Sequence, residues 1–155
     1  MKLPRFEEAG ELEDIPEGSR TFQLRPEAAQ AWKSMRDAAA KQGVELQLVS
    51  AFRSIKRQQE IVQGKRERGL SDAEIFRVNA PPGHSEHHSG RAVDISTPGY
   101  APLETTFEHS RAFSWLQQDA GAFGFALSYP RKNPFGIIYE PWHWCWHPSP
   151  PSHPR

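Results

Sequence analysis

Residues 85–94 read SEHHSGRAVD and contain the residues on which the prediction of the fold depends. His87 lies in a loop, and Asp94 follows it seven positions later in an apolar strand. The segment NAPPGHSEHHSG at 79–90 holds two prolines and two glycines, so it predicts a loop. Residues 91–95 predict the strand that follows. Val93 and Ile95 face away from Asp94, which leaves Asp94 on the opposite side, where burial without a partner is costly. A metal ion is one such partner; a salt bridge or a cap for the next turn is the other.

Residues 140–144, EPWHW, carry the second group of candidates, with Glu140 three positions before His143. Two histidines and one carboxylate are a common catalytic zinc set that leaves a fourth position open for water. Zinc lowers the pKa of that water to roughly 7, and a nearby glutamate outside the ligand set can take its proton. Glu140 suits that role by position. The neighbouring tryptophans either line a cleft or pack in the core: Trp142, Trp144 and Trp146. A tryptophan-rich strand more often packs in the core.

Composition limits the alternatives. A chain of 155 residues is about the size of one domain. Nineteen basic and nineteen acidic residues without a run of like charge give no reason to expect nucleic acid or an anionic membrane as partner. Cys145 is the only cysteine, so any metal must bind histidines and carboxylates. Neither the H-E-x-x-H helix of many metalloproteases nor the G-x-S-x-G turn of serine hydrolases is present, so metal ligands must come from separated segments.

Periodicity and capping signals predict an α+β fold, a single domain with a central antiparallel sheet flanked by helices. Helices are predicted at 26–43, 54–68, from 71 onward for a short stretch, and at 110–122, and strands at 44–49, 91–95 and 123–127, with a further apolar stretch at 137–146. Residues 1–22 predict an extended N-terminal arm, 23–147 the domain itself, and 148–155 a proline-rich, poorly ordered tail. No apolar run approaches the roughly 18 residues of a membrane span, and residues 1–22 lack the pattern of a signal peptide.

Three segments, in this order, resemble the motifs of the zinc D-alanyl-D-alanine carboxypeptidases and dipeptidases of the lysostaphin, D-Ala-D-Ala and hedgehog group. The first is SAFRS at 50–54 with Gln58 beyond it, and the last is EPWH at 140–143. Between them, the pattern S-x-H-x-x-G-x-A-x-D is met by Ser85, His87, Gly90, Ala92 and Asp94. The matched span covers most of the chain, and the spacing inside each motif is fixed. The pattern is most similar to the vancomycin-resistance carboxypeptidases.

The resemblance implies a role for each matched residue. It makes His87, Asp94 and His143 the ligands of a Zn²⁺ ion in a cleft on the sheet. Glu140 would be the base, and Arg53 would steady the negative charge that develops on the scissile carbonyl. The substrate would be held by Gln58, Ser85 and Trp142. His84 and His88 depart from the pattern and could add a stray ligand to the site.

The resemblance also implies hydrolysis of a peptide bond near the C-terminus of peptidoglycan stem peptides, by a D-alanyl-D-alanine carboxypeptidase. Pro141 favours the carboxypeptidase branch over the dipeptidase branch. An L,D-carboxypeptidase, a phage L-Ala-D-Glu endopeptidase and a non-catalytic zinc-containing binding module stay open as alternatives. We expect a monomer. We expect a periplasmic or extracytoplasmic location if a leader was removed, and otherwise a cytoplasmic or phage-derived protein.

Overall fold

A four-stranded antiparallel sheet carries Asp94 and His143, and it is flanked by helices, as predicted. The computed structural model of the chain describes residues 2–148. The sheet has the strand order β3-β4-β6-β5, and a separate two-stranded sheet pairs β1 with β2. The strands are β1 (Glu13–Glu17), β2 (Arg20–Leu24), β3 (Gln47–Ser50), β4 (Ala92–Ser96), β5 (Phe125–Leu127) and β6 (His143–Trp146). The helices are α1 (Pro26–Lys41), α2 (Ile55–Glu67), α3 (Asp72–Val78) and α4 (Arg111–Asp119).

Local capping explains why the four helices begin close to where the sequence predicts. Pro26 occupies the first turn of α1, where its missing N–H leaves no hydrogen bond unmade. The Ser54 hydroxyl accepts a hydrogen bond from the backbone of α2, and Ser71 forms a capping box with Glu74 at the start of α3. Ser110 caps α4 in the same way. Each helix start is therefore determined by residues within a few positions of it.

The register of the sheet brings two predicted ligands opposite each other. Asp94 of β4 pairs with His143 of β6 on one side and with Ser50 of β3 on the other. All five residues of β4 are buried, so both faces of this central strand are covered. The prediction that Asp94 is buried is confirmed.

The hydrophobic core lies between the sheet and the helices α1 and α4. Trp32 and Met35 of α1 are completely buried, as is Val93 of β4. Phe113 of α4 packs edge-on against Trp144 of β6, with ring centroids 6.3 Å apart. Each large side chain of this kind stabilises the fold by about 1.5–3 kcal/mol through burial, so the core holds β4 and β6 firmly in place.

Residues 13–22, part of the segment predicted as an extended arm, belong to the β1–β2 hairpin, which the sequence did not predict. A two-residue turn at 18–19 joins the strands, and Gly18 adopts a φ of +60° there. Ile15 pairs with Phe22 and is 1% exposed, so one apolar residue anchors β1 to the core. Proline is tolerated in β1 because it is an edge strand. The division into arm, domain and tail stays a prediction.

Residues 2–12 have almost no regular structure and run along the loop that precedes β4. The Phe6 N–H donates to the Gly83 carbonyl at 2.8 Å, and the Ala9 N–H donates to the His88 carbonyl at 2.9 Å. Of the predicted tail, residues 149–155 lie outside the described residues. Within residues 2–148, no helix is long and apolar enough to cross a bilayer.

Candidate metal centre and active site

His87, Asp94 and His143 converge in a buried cluster, as the sequence predicts. His87 lies in the short 3-10 helix Glu86–Ser89 that leads into β4, and the other two come from β4 and β6. One side-chain donor atom from each lies within 4.8 Å of the other two. His87 Nε2 is 3.2 Å from Asp94 Oδ2, and His143 Nδ1 is 3.0 Å from Asp94 Oδ1. The cluster therefore presents two imidazole nitrogens and a carboxylate toward one point.

The remaining ring nitrogens are held by acceptors outside the cluster. His87 Nδ1 donates to the Ala51 carbonyl at 2.7 Å, and His143 Nε2 donates to Glu86 Oε1 at 2.8 Å. These bonds orient both rings with Nε2 of His87 and Nδ1 of His143 toward Asp94. Outer partners of this kind fix the tautomer of metal-ligating histidines. The donor set therefore fits Zn²⁺, which takes histidine and carboxylate ligands and keeps a further position for reaction.

The charges of the cluster are strongly coupled. Burial alone would raise the pKa of Asp94, but the two neighbouring histidines outweigh it and hold that pKa well below its usual range. Burial would likewise raise the pKa of Glu86, yet its hydrogen bonds from His143 and Ser128 lower it to about 2. Burial lowers the pKa of His143, but Asp94 and Glu86 together raise it to about 10. These contacts favour ionised carboxylates and a protonated His143 ring, and metal binding requires that ring to give up its proton.

Glu140 is a buried carboxylate beside the cluster. Its Oε1 lies 3.8 Å from His143 Nδ1, and no described residue donates a hydrogen bond to its carboxylate. Its backbone N–H donates to the Tyr129 carbonyl at 3.0 Å, which fixes the chain at this point. Burial raises the pKa of Glu140 to about 7. A carboxyl group whose pKa lies near 7, with oxygen atoms that accept no hydrogen bond, can gain and lose a proton readily. A general base requires this property.

Arg53 extends from the end of β3 as a cation without a carboxylate within ion-pair distance in the described structure. Its Nη1 donates to Gln58 Oε1 at 3.0 Å and its Nη2 donates to Ser50 Oγ at 3.1 Å. Burial lowers the pKa of its guanidinium. Gln58 in turn donates to the Ala80 carbonyl at 2.6 Å, so both polar atoms of its amide are engaged. Gln58 therefore braces Arg53, a contact that the sequence did not predict.

These side chains line one cleft of about 240 Å³. The cleft brings together all eight residues that the sequence proposed for the site: Arg53, Gln58, Ser85, His87, Asp94, Glu140, Trp142 and His143. Ser85 is buried, and its hydroxyl accepts a hydrogen bond from the His87 N–H. Of the tryptophans, Trp142 lines the cleft, whereas Trp144 belongs to the core and is not among the lining residues.

Several contributors to the site were not found from the sequence. Glu86 orients His143, and the Ser128 hydroxyl donates to the same Glu86 oxygen at 2.6 Å. The Tyr129 ring lies 4.8 Å from the His143 ring, centroid to centroid, and forms part of the cleft wall. Glu86 stands inside the S-x-H motif, but nothing in the sequence indicates that its partner is His143. The only available signal was a carboxylate next to a predicted ligand.

His84 and His88 do not join the cluster. His88 is buried, and its Nδ1 donates to the Arg53 carbonyl at 2.7 Å while its Nε2 accepts from the Gly83 N–H at 3.1 Å. His84 Nδ1 contacts the carbonyls of Leu3 and Pro4, both at 3.1 Å. Neither ring therefore adds to the ligand set in this arrangement, because these hydrogen bonds direct both rings elsewhere.

Comparison with known proteins places this arrangement in a family. The family model described as "VanY: D-alanyl-D-alanine carboxypeptidase" matches residues 21–149. The putative carboxypeptidase YodJ of Bacillus subtilis (strain 168) is 41% identical over 128 residues, which cover 77% of this chain and 45% of that protein. The chain spans about half the length of the curated relatives that it matches first.

Solved structures show the same fold. The LdcB LD-carboxypeptidase superposes with a TM-score of 0.74 at 35% identity, covering 90% of this chain and 64% of that one. VanYB in complex with D-alanine-D-alanine gives a TM-score of 0.73 at 29% identity, covering 94% and 81%. A mutant VanY D,D-pentapeptidase from a VanB-type resistance cassette, in complex with Zn(II), gives 0.70 at 27% identity, covering 94% and 86%.

Proposed function

The chain belongs to the VanY D-alanyl-D-alanine carboxypeptidase family, and from this premise we propose that it is a zinc-dependent D,D-carboxypeptidase of peptidoglycan stem peptides. His87, Asp94 and His143 would hold the Zn²⁺ ion. The observation that carries the proposal is the pair of free reactive groups beside this cluster. Glu140 has a pKa of about 7, and its carboxylate oxygens accept no hydrogen bond from a described residue. Arg53 has no carboxylate partner among the described residues. A purely structural metal site needs neither group.

The proposed mechanism assigns the proton transfers to Glu140. A bound Zn²⁺ would supply Lewis acidity, which polarises the peptide carbonyl and acidifies the attacking water. Glu140 takes the proton of that water and delivers it to the nitrogen of the departing D-alanine, a transfer that contributes about 10²–10⁴-fold to such reactions. Its position 3.8 Å from a proposed ligand atom places it within reach of the same reacting centre.

Arg53 stabilises the negative charge that develops on the carbonyl oxygen. Its bonds to Gln58 and Ser50 use one N–H on each of two nitrogens, so other N–H groups of the fork stay available. Holding the fork in place before the substrate arrives is what makes such a donor effective, and its contribution is about 3 kcal/mol in a dry site. Trp142 and Tyr129 line the cleft and limit the access of water.

An L,D-carboxypeptidase is the second candidate. The specific observation in its favour is the LdcB structure, which is 35% identical and superposes over 90% of this chain. The two candidates differ in the stem peptide that they shorten, a pentapeptide ending in D-Ala-D-Ala or a tetrapeptide ending in a single D-alanine. The cleft residues named above serve either reaction. The monomeric state and the extracytoplasmic, cytoplasmic or phage origin stay predictions.

A product analysis tests the proposal directly. Zinc-loaded protein is incubated with pentapeptide and tetrapeptide stems, and the products are identified by mass. We expect the pentapeptide to lose one D-alanine, and preferential loss from the tetrapeptide would instead favour the L,D-carboxypeptidase. If neither stem is cleaved while zinc stays bound, the protein acts as a zinc-containing binding module.

Variants of Glu140 connect the activity to the site. Glu140→Ala should keep its zinc and lose activity by about 10²–10⁴-fold, because the proton acceptor is removed while all three proposed ligands stay. Glu7→Ala removes an exposed carboxylate that does not line the cleft and serves as the matched control. Normal hydrolysis by Glu140→Ala would remove Glu140 from the role of base.

A further inference from the structure

Lys65 is a cation of the cleft that has no partner in the described structure. It lies on α2, is half-buried, and lines the same cleft as Arg53. Neighbouring cations of α2 pair with carboxylates: Arg57 with Glu60 at 3.4 Å and Arg66 with Asp72 at 2.8 Å. The side-chain ammonium of Lys65 makes no hydrogen bond or ion pair with any described residue.

The surroundings of Lys65 do not favour a positive charge. Burial lowers its pKa, and the nearby cations Arg68 and Arg53 lower it further. Most lysines on a protein surface extend into water, where their charge is solvated and needs no partner. Lys65 instead combines partial burial with repulsion from its neighbours. A negative group entering the cleft would relieve both costs.

The charges of the cleft are divided between its walls. Its carboxylates are Asp94 and Glu140, which belong to the metal cluster and the adjoining base. The wall built from α2 and the end of α3 contributes Gln58, Lys65, Val78 and Asn79, and it carries no carboxylate. We call this set the α2–α3 wall. The α2–α3 wall therefore offers an anion one cation and no repelling carboxylate.

The rim of the cleft is apolar. Val78 and Leu103 are the large hydrophobic residues exposed among residues 2–148, at 40% and 51%, and both line this cleft. Leu103 also holds a φ of +59°, in the left-handed region that residues with a Cβ rarely adopt. Asn79 donates through Nδ2 to the Ile75 carbonyl at 2.9 Å, and its Oδ1 accepts no hydrogen bond from a described residue. Apolar carbons, a free acceptor and a cation suit a peptide that bears a carboxylate on an aliphatic residue.

The geometry points to the α2–α3 wall as a carboxylate-binding subsite, in which Lys65 anchors an anionic group of the peptide substrate. The inference rests on the proposed function, because it takes the occupant of the cleft to be a peptide. The carboxylate has two possible sources with one chemistry. It is either the C-terminal carboxylate of the peptide or the additional side-chain carboxylate that a 2,6-diaminopimelate carries and a lysine lacks.

Peptide binding to the zinc-loaded Glu140→Ala protein tests the subsite without hydrolysis. Three pentapeptides ending in D-Ala-D-Ala are titrated by calorimetry: one with lysine at the third position, the same peptide with an amidated C-terminus, and one with diaminopimelate at the third position. We expect Lys65→Met to weaken binding about tenfold for the peptide whose carboxylate Lys65 contacts, the scale of one charge-assisted hydrogen bond. The Lys65→Met variant should also bind this peptide no more tightly than the matched peptide that lacks the carboxylate.

Two further variants separate the charge of Lys65 from general effects. Lys56→Met removes one exposed positive charge from the same helix outside the cleft and should leave all three affinities unchanged. Lys65→Arg should restore the preference, since it returns a cation to the same position. The preference should also weaken as salt is added, because the pair is only half-buried.

The outcomes distinguish the subsite from the proposed function. If Lys65→Met leaves both preferences unchanged, or if the Lys65 protein shows neither preference, the subsite is refuted. Hydrolysis of the same peptides by the zinc-loaded protein with Glu140 intact is measured in parallel. A Lys65-dependent preference without cleavage would keep the subsite and overturn the carboxypeptidase; cleavage that ignores Lys65 would do the reverse. Absence of all binding would overturn both.

Discussion

Glu86 should control the metal affinity of the site although it is not one of the proposed ligands. It accepts a hydrogen bond from His143 Nε2 at 2.8 Å and another from the Ser128 hydroxyl at 2.6 Å. The first bond places the proton of the ring on Nε2 and leaves Nδ1 for the metal. Replacing Glu86 with alanine removes both bonds, so the ring of His143 loses the contact that sets its tautomer and its orientation.

The size of the effect follows from this contact. A buried hydrogen bond between charged groups contributes about 1.5–3 kcal/mol. Loss of an outer carboxylate behind a ligating histidine weakens metal binding by about 10–100-fold, which is about 1.4–2.7 kcal/mol. The two scales agree, and we expect Glu86→Ala to lose zinc affinity in this range. Ser128→Ala removes only the hydroxyl and leaves the bond to His143, so it should lose much less.

Competition with a chromophoric chelator measures the affinity of each variant, and far-UV circular dichroism confirms that each stays folded. Glu86→Gln keeps an acceptor oxygen of the same length without the charge, and its affinity should lie between those of the parent protein and Glu86→Ala. A folded Glu86→Ala protein whose zinc affinity is within twofold of the parent would refute the role of Glu86. Equal losses in Ser128→Ala and Glu86→Ala would show that the hydroxyl, rather than the carboxylate, orients the ring.

Three further predictions concern metal and stability. Removing zinc with a chelator should lower the melting temperature in calorimetry by about 10 °C, because a ligand at about 1,000 times its Kd stabilises a fold by about 4 kcal/mol. An unchanged melting temperature would contradict tight zinc binding. His88→Leu should lower the free energy of unfolding by about 2–4 kcal/mol in urea titrations, since the half-buried Arg53 carbonyl and the buried Gly83 N–H each lose a partner. Gly124→Ala should lower the free energy of unfolding by about 2 kcal/mol in the same assay, because a Cβ at this φ of +90° would lie 2.9 Å from Trp146 Nε1. A decrease below about 0.5 kcal/mol would show that the turn adapts to the added methyl group.

Helices were predictable from the sequence because the signals that start them are local. Ser54 and Ser71 cap helices within three residues of themselves, and Pro26 stands in the first turn of α1. The β1–β2 hairpin was missed because its stability is not local. Ile15 is the only buried residue of β1, and it gains its stability from a core assembled by residues far along the chain. One buried position in five is too weak a pattern to predict a strand.

The proposed ligand set came from the sequence because few residue types bind zinc, and their spacing matched motifs with fixed intervals. His87, Asp94, His143 and Glu140 follow from that chemistry and that match. The role of Gln58 did not follow, because its bond to Arg53 depends on the angle at which α2 leaves β3. Lys65 is likewise one of nineteen basic residues in the sequence, and only the fold places it on the cleft without a partner.

The sequence by itself determined which groups could bind the metal and which carboxylate could act as the base. Only the tertiary structure decided which nitrogen of each histidine faces Asp94, which residue orients His143, and which wall of the cleft carries an unpaired lysine. The physical reason is sequence separation. Glu86 meets His143 across 57 positions of the chain and Ser128 across 42, and no periodic pattern or capping signal encodes contacts of that range. Such contacts exist only after the core has brought β4 and β6 side by side.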